Sequence, residues 1–172
     1  MSIAQSMLPE FDQEMSSTRK ILECVPEGKS DWKPHEKSMT LGRLAGHVAE
    51  LPMWGALTMD RTELDISPVG GPPFKPGVFT SRQATLKSFD ELVTSCRAAL
   101  SKATDADFMV PWTLKSGGNT IMTLPRVAVV RSFVMNHIIH HRAQLQVYLR
   151  MNDVAVPGPY GPSADEKPMQ VQ

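Results

Sequence analysis

The stretch from Leu124 to Met151 constrains the fold most. Val130, Val134, His137, His141, Leu145 and Tyr148 recur along it at helical spacing. At roughly 100° per residue they fall into one narrow sector, which predicts a long helix turning that side toward a core. Pro125 is tolerated in the first turn, where its missing N–H has no helical partner anyway. Three other stretches read the same way. The first runs from Ile3 to Cys24, with Phe11, Met15, Thr18, Leu22 and Val25 as its stripe, and Pro26-Glu27-Gly28 ends it. The second runs from Thr40 to Met59 with Leu44, His47, Leu51 and Trp54 on one face, and Pro52 inside it predicts a kink. The third runs from Thr80 to Lys102 along Leu86, Phe89, Val93, Cys96 and Leu100, and Thr80 with Gln83 reads as a capping box. The expected architecture is all-α, a four-helix bundle forming a single domain over residues 1–172.

The connections add detail. Asp60 to Phe79 is rich in Gly and Pro, including Gly70-Gly71-Pro72-Pro73, and predicts a long structureless crossover loop of the kind that serves as a lid. Trp112-Thr113-Leu114 and Thr120-Ile121-Met122 flank Ser116-Gly117-Gly118-Asn119, which predicts a small β-hairpin before the last helix. From Val156 to Gln172 the chain is Pro/Gly-rich and not helical in pattern.

Histidine placement points to chemistry. His137 and His141 stand i, i+4 on the inward sector, so their rings lie one above the other. His47 shares the core-facing side of the second helix with Leu44, Leu51 and Trp54. Each inward imidazole has two nitrogens to satisfy, and Leu, Val and Met supply few partners. One metal ion shared by the three rings answers that need; histidines hydrogen-bonded within the core, without a metal, are the competing reading. His140 falls at the edge of the sector, and His35 lies in a loop as a surface residue or local hydrogen-bonder.

Several segments in order resemble the DinB/YfiT-like family of small helical metalloproteins. Asp31-Trp32-Lys33-Pro34-His35 leads through Thr40-Leu41-Gly42 into Leu44-Ala45-Gly46-His47. Asn136-His137 through His140-His141-Arg142-Ala143-Gln144-Leu145 resembles the family's last-helix motif, and Tyr160-Gly161-Pro162-Ser163 resembles the tail of one branch. The resemblance spans nearly the whole chain. It implies a four-helix bundle in which His47, His137 and His141 are the ligands of nickel, zinc or iron. It also implies a frequent homodimer, and relatives that are thiol-dependent transferases and isomerases acting on adducts of low-molecular-weight thiols.

Three neutral imidazoles leave a coordination position open, the mark of a catalytic site, and no set of cysteines is present to close it. An ion so held acidifies a bound water or a substrate thiol. The expected function is therefore a metal-dependent enzyme, a thiol S-transferase or a hydrolase acting on a small-molecule substrate. The alternative is a non-catalytic metal-binding or stress-response protein. Gln144 and Glu50 are the catalytic candidates, Gln144 to orient a ring or bound water and Glu50 as a general base. Trp54 and Tyr148 are candidate pocket walls, and Arg142 is expected at the surface or against the tail. Ala128, Met135 and Ile139 form an apolar row opposite the histidines, a candidate dimer face.

Composition excludes other classes. Lys+Arg and Asp+Glu both total 18, so there is no basic excess to neutralise phosphates or lipid headgroups. No apolar run approaches the ~20 residues of a membrane span. MSIAQSMLPEFDQEM lacks the pattern of a signal peptide, and Cys24 and Cys96 read as buried free thiols. A cytoplasmic location is expected.

Overall fold

In the computed structural model, which describes residues 1–167, the chain is mostly helical with one small three-stranded sheet. Helix α1 spans Ile3–Glu23. Ser2 caps it by accepting the Gln5 N–H at 3.2 Å while the Gln5 side chain accepts the Ser2 N–H at 2.9 Å, so two orphan donors are satisfied reciprocally. Helix α2 spans Leu41–Asp60 and is capped by Thr40, whose hydroxyl accepts from Arg43 N–H at 3.1 Å. Helix α3 spans Arg82–Lys102. Its cap is Ser81, which accepts from Ala84 N–H at 3.1 Å, and not Thr80. The expected box was one residue early because serine and threonine both cap, serine the better of the two, and the spacing does not choose between neighbours.

The apolar stripes of these helices meet in one cluster. Phe11, Met15 and Leu22 come from α1, Leu44, Val48 and Leu51 from α2, and Phe89, Cys96 and Leu100 from α3, all of them buried. A short helix α4, Asp105–Met109, follows α3 and buries Phe108. At five residues it is too short to show a period, and the sequence reading passed over it.

The sheet has the order β1–β2–β3, with β1 at Glu63–Asp65, β2 at Pro111–Ser116 and β3 at Asn119–Pro125. The expected hairpin is β2–β3, turning through Gly117 and Gly118, both at positive φ, as the primed two-residue turns require. The segment Asp60–Phe79 is not structureless throughout. Its Glu63–Asp65 pairs parallel with Thr113–Lys115, and the Asp65 carboxylate accepts the N–H groups of Ser67, Gly117 and Gly118. Those backbone donors hold the Asp65 carboxyl below the usual carboxylate range. Three residues inside a Gly/Pro-rich stretch carry no readable alternation, so only the partner strand reveals β1.

The last long helix departs from expectation in two ways. Strand β3 runs through Leu124 to Pro125, so the helix begins at Arg126 with α5, Arg126–Val129. A π-helical segment, Val130–Asn136, then leads into α6, His137–Arg150. A π turn closes i→i+5 bonds and takes more residues per turn, so each step rotates the chain less than an α step does. The core line therefore passes from Val130 and Val134 through Met135 to Ile138, Arg142, Leu145 and Leu149, all buried. His137 and His141 sit on the flank of that line, half-buried. The expectation that they share the centre of the stripe with Val130 and Val134 assumed an uninterrupted α-helix.

Two further expectations are corrected by the same shift. Arg142, expected outside, is 1 % exposed and lies in the core, although it does meet the tail through Tyr160. Met135, expected in an exposed row with Ala128 and Ile139, is fully buried. The tail is non-helical from Val156 as far as residue 167, as anticipated; the remainder of that stretch, to Gln172, lies outside the described residues. No helix among the described residues is long and apolar enough to cross a membrane.

Cys96 is fully buried and its thiol is pushed up to about 12 by burial, whereas Cys24 is only half-buried, less than expected, with its thiol also raised by burial. In the folded chain, a thiol reagent at mildly alkaline pH is expected to modify Cys24 and leave Cys96 untouched until denaturant is added. Counting modified thiols in wild type and Cys24→Ala checks this. Rapid native modification of Cys96 would show that the α2–α3 contact opens.

Candidate metal centre

His47 enters the site from α2, and His137 and His141 from the first turns of α6. The three rings form a tight triangle, with centroids 5.1 Å apart for His47–His137, 4.6 Å for His47–His141 and 4.7 Å for His137–His141. One ligand-type nitrogen from each lies within 4.8 Å of the others. The i, i+4 spacing therefore does bring the α6 pair together, and the packing of α2 against α6 supplies the third ring.

Each ring is held from behind by its Nδ1. The His47 Nδ1 contacts Glu50 Oε1 at 2.7 Å, and the His141 Nδ1 contacts Gln144 Oε1 at 2.7 Å. The His137 Nδ1 contacts the Phe133 carbonyl at 3.2 Å. That carbonyl is within the π segment, where His137 gives its own backbone N–H to Val134 O instead. All three partners are acceptors, so each Nδ1 is the donating nitrogen, and in a neutral ring so held the Nε2 atom is left with its lone pair.

Two of these Nε2 atoms face one another: those of His47 and His137 stand 3.3 Å apart. Two nitrogens bound to one tetrahedral ion at ~2.0–2.1 Å stand about 3.4 Å apart, so the pair is already at ligand spacing. Burial, reinforced by the neighbouring His47 ring, lowers the pKa of His137. Burial likewise lowers His141, to about 4, with the other rings adding to the effect. Both rings are thus neutral near pH 7, the protonation state that ligates a cation. The donor set fits one divalent ion, and each ring has the hydrogen-bonded support that ligating histidines carry.

The other sequence candidates separate clearly. Glu50 is 7 % exposed, and its second oxygen accepts the backbone N–H of Gly77. Gln144 lies on the exposed side of His141. His140 is exposed and meets the edge of His141, with ring centroids 4.8 Å apart. His35 is exposed in its loop, where its ring accepts from Lys37 N–H at 3.2 Å. Trp54 packs on Phe74 and Tyr148 on Trp32, both half-buried. A shallow and mainly apolar hollow of about 300 Å³ opens beside the cluster, lined by Ser132, Phe133, Asn136, His137 and His140. The sequence reading missed the Phe133 carbonyl and Gly77. The first depends on the π segment and the second on a contact between distant segments, and neither leaves a local pattern.

The chain has recognisable relatives. The sequence profile of the DinB superfamily matches residues 10–145. The chain is 28% identical over 162 residues to the uncharacterised protein YrdA of Bacillus subtilis (strain 168), covering 92% of this chain and 89% of YrdA. In structure it is similar to a DinB-like protein from Bacillus cereus ATCC 10987, with a TM-score of 0.68 at 23% identity, over 91% of this chain and 97% of that one. It is also similar to the DinB-like protein YjoA of Bacillus subtilis, with a TM-score of 0.66 at 18% identity, over 90% and 97% of the two chains. At those identities the two structures speak for the fold alone.

Proposed function

This chain belongs to the DinB superfamily, and on that premise we propose that it is a metal-dependent enzyme. In this reading His47, His137 and His141 hold one nickel, zinc or iron ion between the second and last helices of a four-helix bundle. The observation that carries it is the convergence of one ring nitrogen from each histidine within 4.8 Å, with every Nδ1 against an acceptor. When bound, an ion with three imidazole ligands keeps an open position and supplies Lewis acidity, which lowers the pKa of a water or thiol placed there.

The surrounding residues favour thiol S-transfer over hydrolysis. Hydrolysis calls for a base near the attacking water. The hollow beside the cluster is lined by Phe133, Ser132 and Asn136 with the edges of His137 and His140, and among the described residues no carboxylate lines it. The carboxylate of Glu50 stands behind His47 with both oxygens committed, to the ring and to Gly77. A thiol is its own nucleophile once deprotonated and needs no such base. Phe133, 37 % exposed, offers an apolar wall to the carbon skeleton of the acceptor, while Asn136 and Ser132 supply polar anchors. In this reading Gln144 and Glu50 orient His141 and His47. The substrate is a low-molecular-weight thiol with an electrophilic partner, and the two cysteines without a disulfide suit a reducing cytoplasm.

A homodimer is part of the same proposal. Its surface excludes Met135 and is sought instead on the outer side of the last helix, where Phe133 and Val147 are exposed. The Asp60–Phe79 segment as a closing lid also belongs to this reading.

The test uses Co²⁺-loaded protein. Adding a small thiol is expected to change its visible and near-ultraviolet absorption in a saturable way, and an alcohol of the same shape is expected to leave it unchanged. No response to any thiol, with cobalt bound, would remove S-transfer and favour the non-catalytic metal-binding alternative.

A further inference from the structure

The crossover segment between β1 and α3 touches the metal-binding cluster at one atom group, the Glu50 carboxylate. Glu50 is buried, and its two oxygens divide their work. Oε1 meets the His47 Nδ1 at 2.7 Å, and Oε2 accepts the backbone N–H of Gly77. The loop can reach that oxygen because two glycines meet there. A Cβ on Gly46 would stand 2.8 Å from the Gly77 carbonyl oxygen, and a Cβ on Gly77 would stand 2.9 Å from Glu50 Oε2 and 2.9 Å from the Gly46 carbonyl oxygen. A second anchor lies three residues back, where the Phe74 ring packs on Trp54 of α2 with centroids 5.3 Å apart and Phe74 N–H bonds to Ile66 O at 2.8 Å. Arg43 faces the same carboxylate, its guanidinium 3.8 Å from Oε1, and its Nη1 has no hydrogen-bond partner among the described residues.

From this geometry we infer that Glu50 is a positioning residue through which the seating of the 66–80 loop sets the metal affinity of His47. The inference rests on the metal-binding reading above and deepens it. A carboxylate that accepts from a ligating histidine fixes the ring and raises its basicity. Here the carboxylate is itself fixed by a loop amide, so the loop is a third member of the chain from Gly77 to Glu50 to His47. A cation on Nε2 makes the Nδ1–H a stronger donor, which holds the carboxylate in the orientation that receives Gly77. Loop seating and metal binding then help each other by the same factor, as linkage requires.

The side-chain chemistry makes the idea testable. Both partners of Glu50 are donors, and a glutamine offers only one acceptor oxygen. Glu50→Gln keeps the shape and satisfies His47 or Gly77, but not both. Gly77→Ala changes no histidine and keeps the Glu50 carboxylate in the chain, but its Cβ crowds Glu50 Oε2 and the Gly46 carbonyl and so unseats the loop. Phe74→Ala loosens the loop at its other anchor without touching Gly77 or Glu50.

The experiment measures Zn²⁺ dissociation constants by competition with a chromophoric chelator, and amide hydrogen exchange over residues 74–79 with and without Zn²⁺. Circular dichroism of each variant confirms its helical fold. For wild type, Zn²⁺ is expected to slow exchange at Gly77. Glu50→Gln is expected to weaken Zn²⁺ binding by about 10- to 100-fold and to abolish that slowing. Gly77→Ala and Phe74→Ala are expected to weaken binding several-fold with faster exchange across the loop. Wild-type affinity in both loop variants, with their loop amides exchanging freely, would overturn the coupling while leaving the metal site standing. A wild-type chain that binds no Zn²⁺ would overturn both.

Discussion

Purified without a polyhistidine tag, the wild-type chain is expected to carry about one divalent metal ion per molecule, and His47→Ala and His137→Ala to carry essentially none. Elemental analysis of the three proteins side by side reads this directly. The reason is geometric: with one ring gone, two ligands remain on what was a three-nitrogen site, and the facing Nε2 atoms of His47 and His137 lose their mutual arrangement. His140→Ala is the control. That ring is exposed and stands outside the group of three converging histidines, so the metal content is expected to stay at the wild-type level.

Metal binding should also appear as stability. An ion that binds only the folded chain at 100 to 1,000 times its dissociation constant contributes roughly 2.7–4 kcal/mol. For a chain of this size that is on the order of 5–15 °C in Tm, lost on chelation in wild type and absent in His137→Ala. A wild-type protein that takes up no metal even after incubation with Zn²⁺ or Ni²⁺ would sink the central reading and leave a core cluster of hydrogen-bonded histidines.

The second large effect lies one residue beyond His141. Arg142 is 1 % exposed and pairs with Glu14, also buried, Nη1 to Oε2 at 2.7 Å. The same Nη1 also donates to the Glu14 carbonyl at 3.2 Å and to Thr18 Oγ1 at 3.3 Å. Its Nη2 donates to the Tyr160 hydroxyl at 2.7 Å, and that hydroxyl donates to both Glu14 carboxylate oxygens at 3.0 Å. The three side chains form a closed network that fastens the tail to α1 and α6. Burial and the neighbouring Glu14 carboxylate both push the Tyr160 phenol up, so it remains a donor.

Arg142→Ala would leave the Glu14 charge buried and unpaired. The expected cost is about 3–5 kcal/mol, the range for removing one partner of a buried pair. That corresponds to roughly 6–20 °C in Tm for a chain of this size. Replacing both charges, as in Glu14→Leu with Arg142→Met, is expected to cost much less than the sum of the two single changes, because no lone charge remains. Tyr160→Phe, which removes only the hydroxyl, is expected to cost about 1–2 kcal/mol. Thermal melts of the set decide the matter. An Arg142→Ala protein melting within a degree or two of wild type would mean that water reaches Glu14.

Much of the molecule was legible before any coordinates. Phe11, Leu44, Phe89 and Leu145 were placed inward by helical spacing, and all are buried. The hairpin was legible from Gly117-Gly118 between alternating strands, because glycine alone takes the two positive φ values without strain. His47, His137 and His141 were legible as a set because inward histidines need partners that a Leu/Val core lacks, and the structure brings the three within 4.8 Å. Arg142 was misplaced by the same arithmetic. A π segment has no marker in residue type, and counting at roughly 100° per step across Val130–Asn136 accumulates an angular error that puts Arg142 outside and the histidines at the centre of the stripe.

What the sequence by itself determined is therefore what depends on short spans: which stretches are helical, where the hairpin turns, and which histidines face inward together. These follow from hydrogen bonds and side-chain periodicity within a few residues. The tertiary structure alone decided the pairing of Glu63–Asp65 with β2, the burial of Arg142 against Glu14 and Tyr160, and the seating of Gly77 on Glu50 behind His47. Each joins residues 18 to 146 positions apart. Their free energy comes from desolvating polar groups that find partners only once the helices have packed, and no local pattern of residues records it.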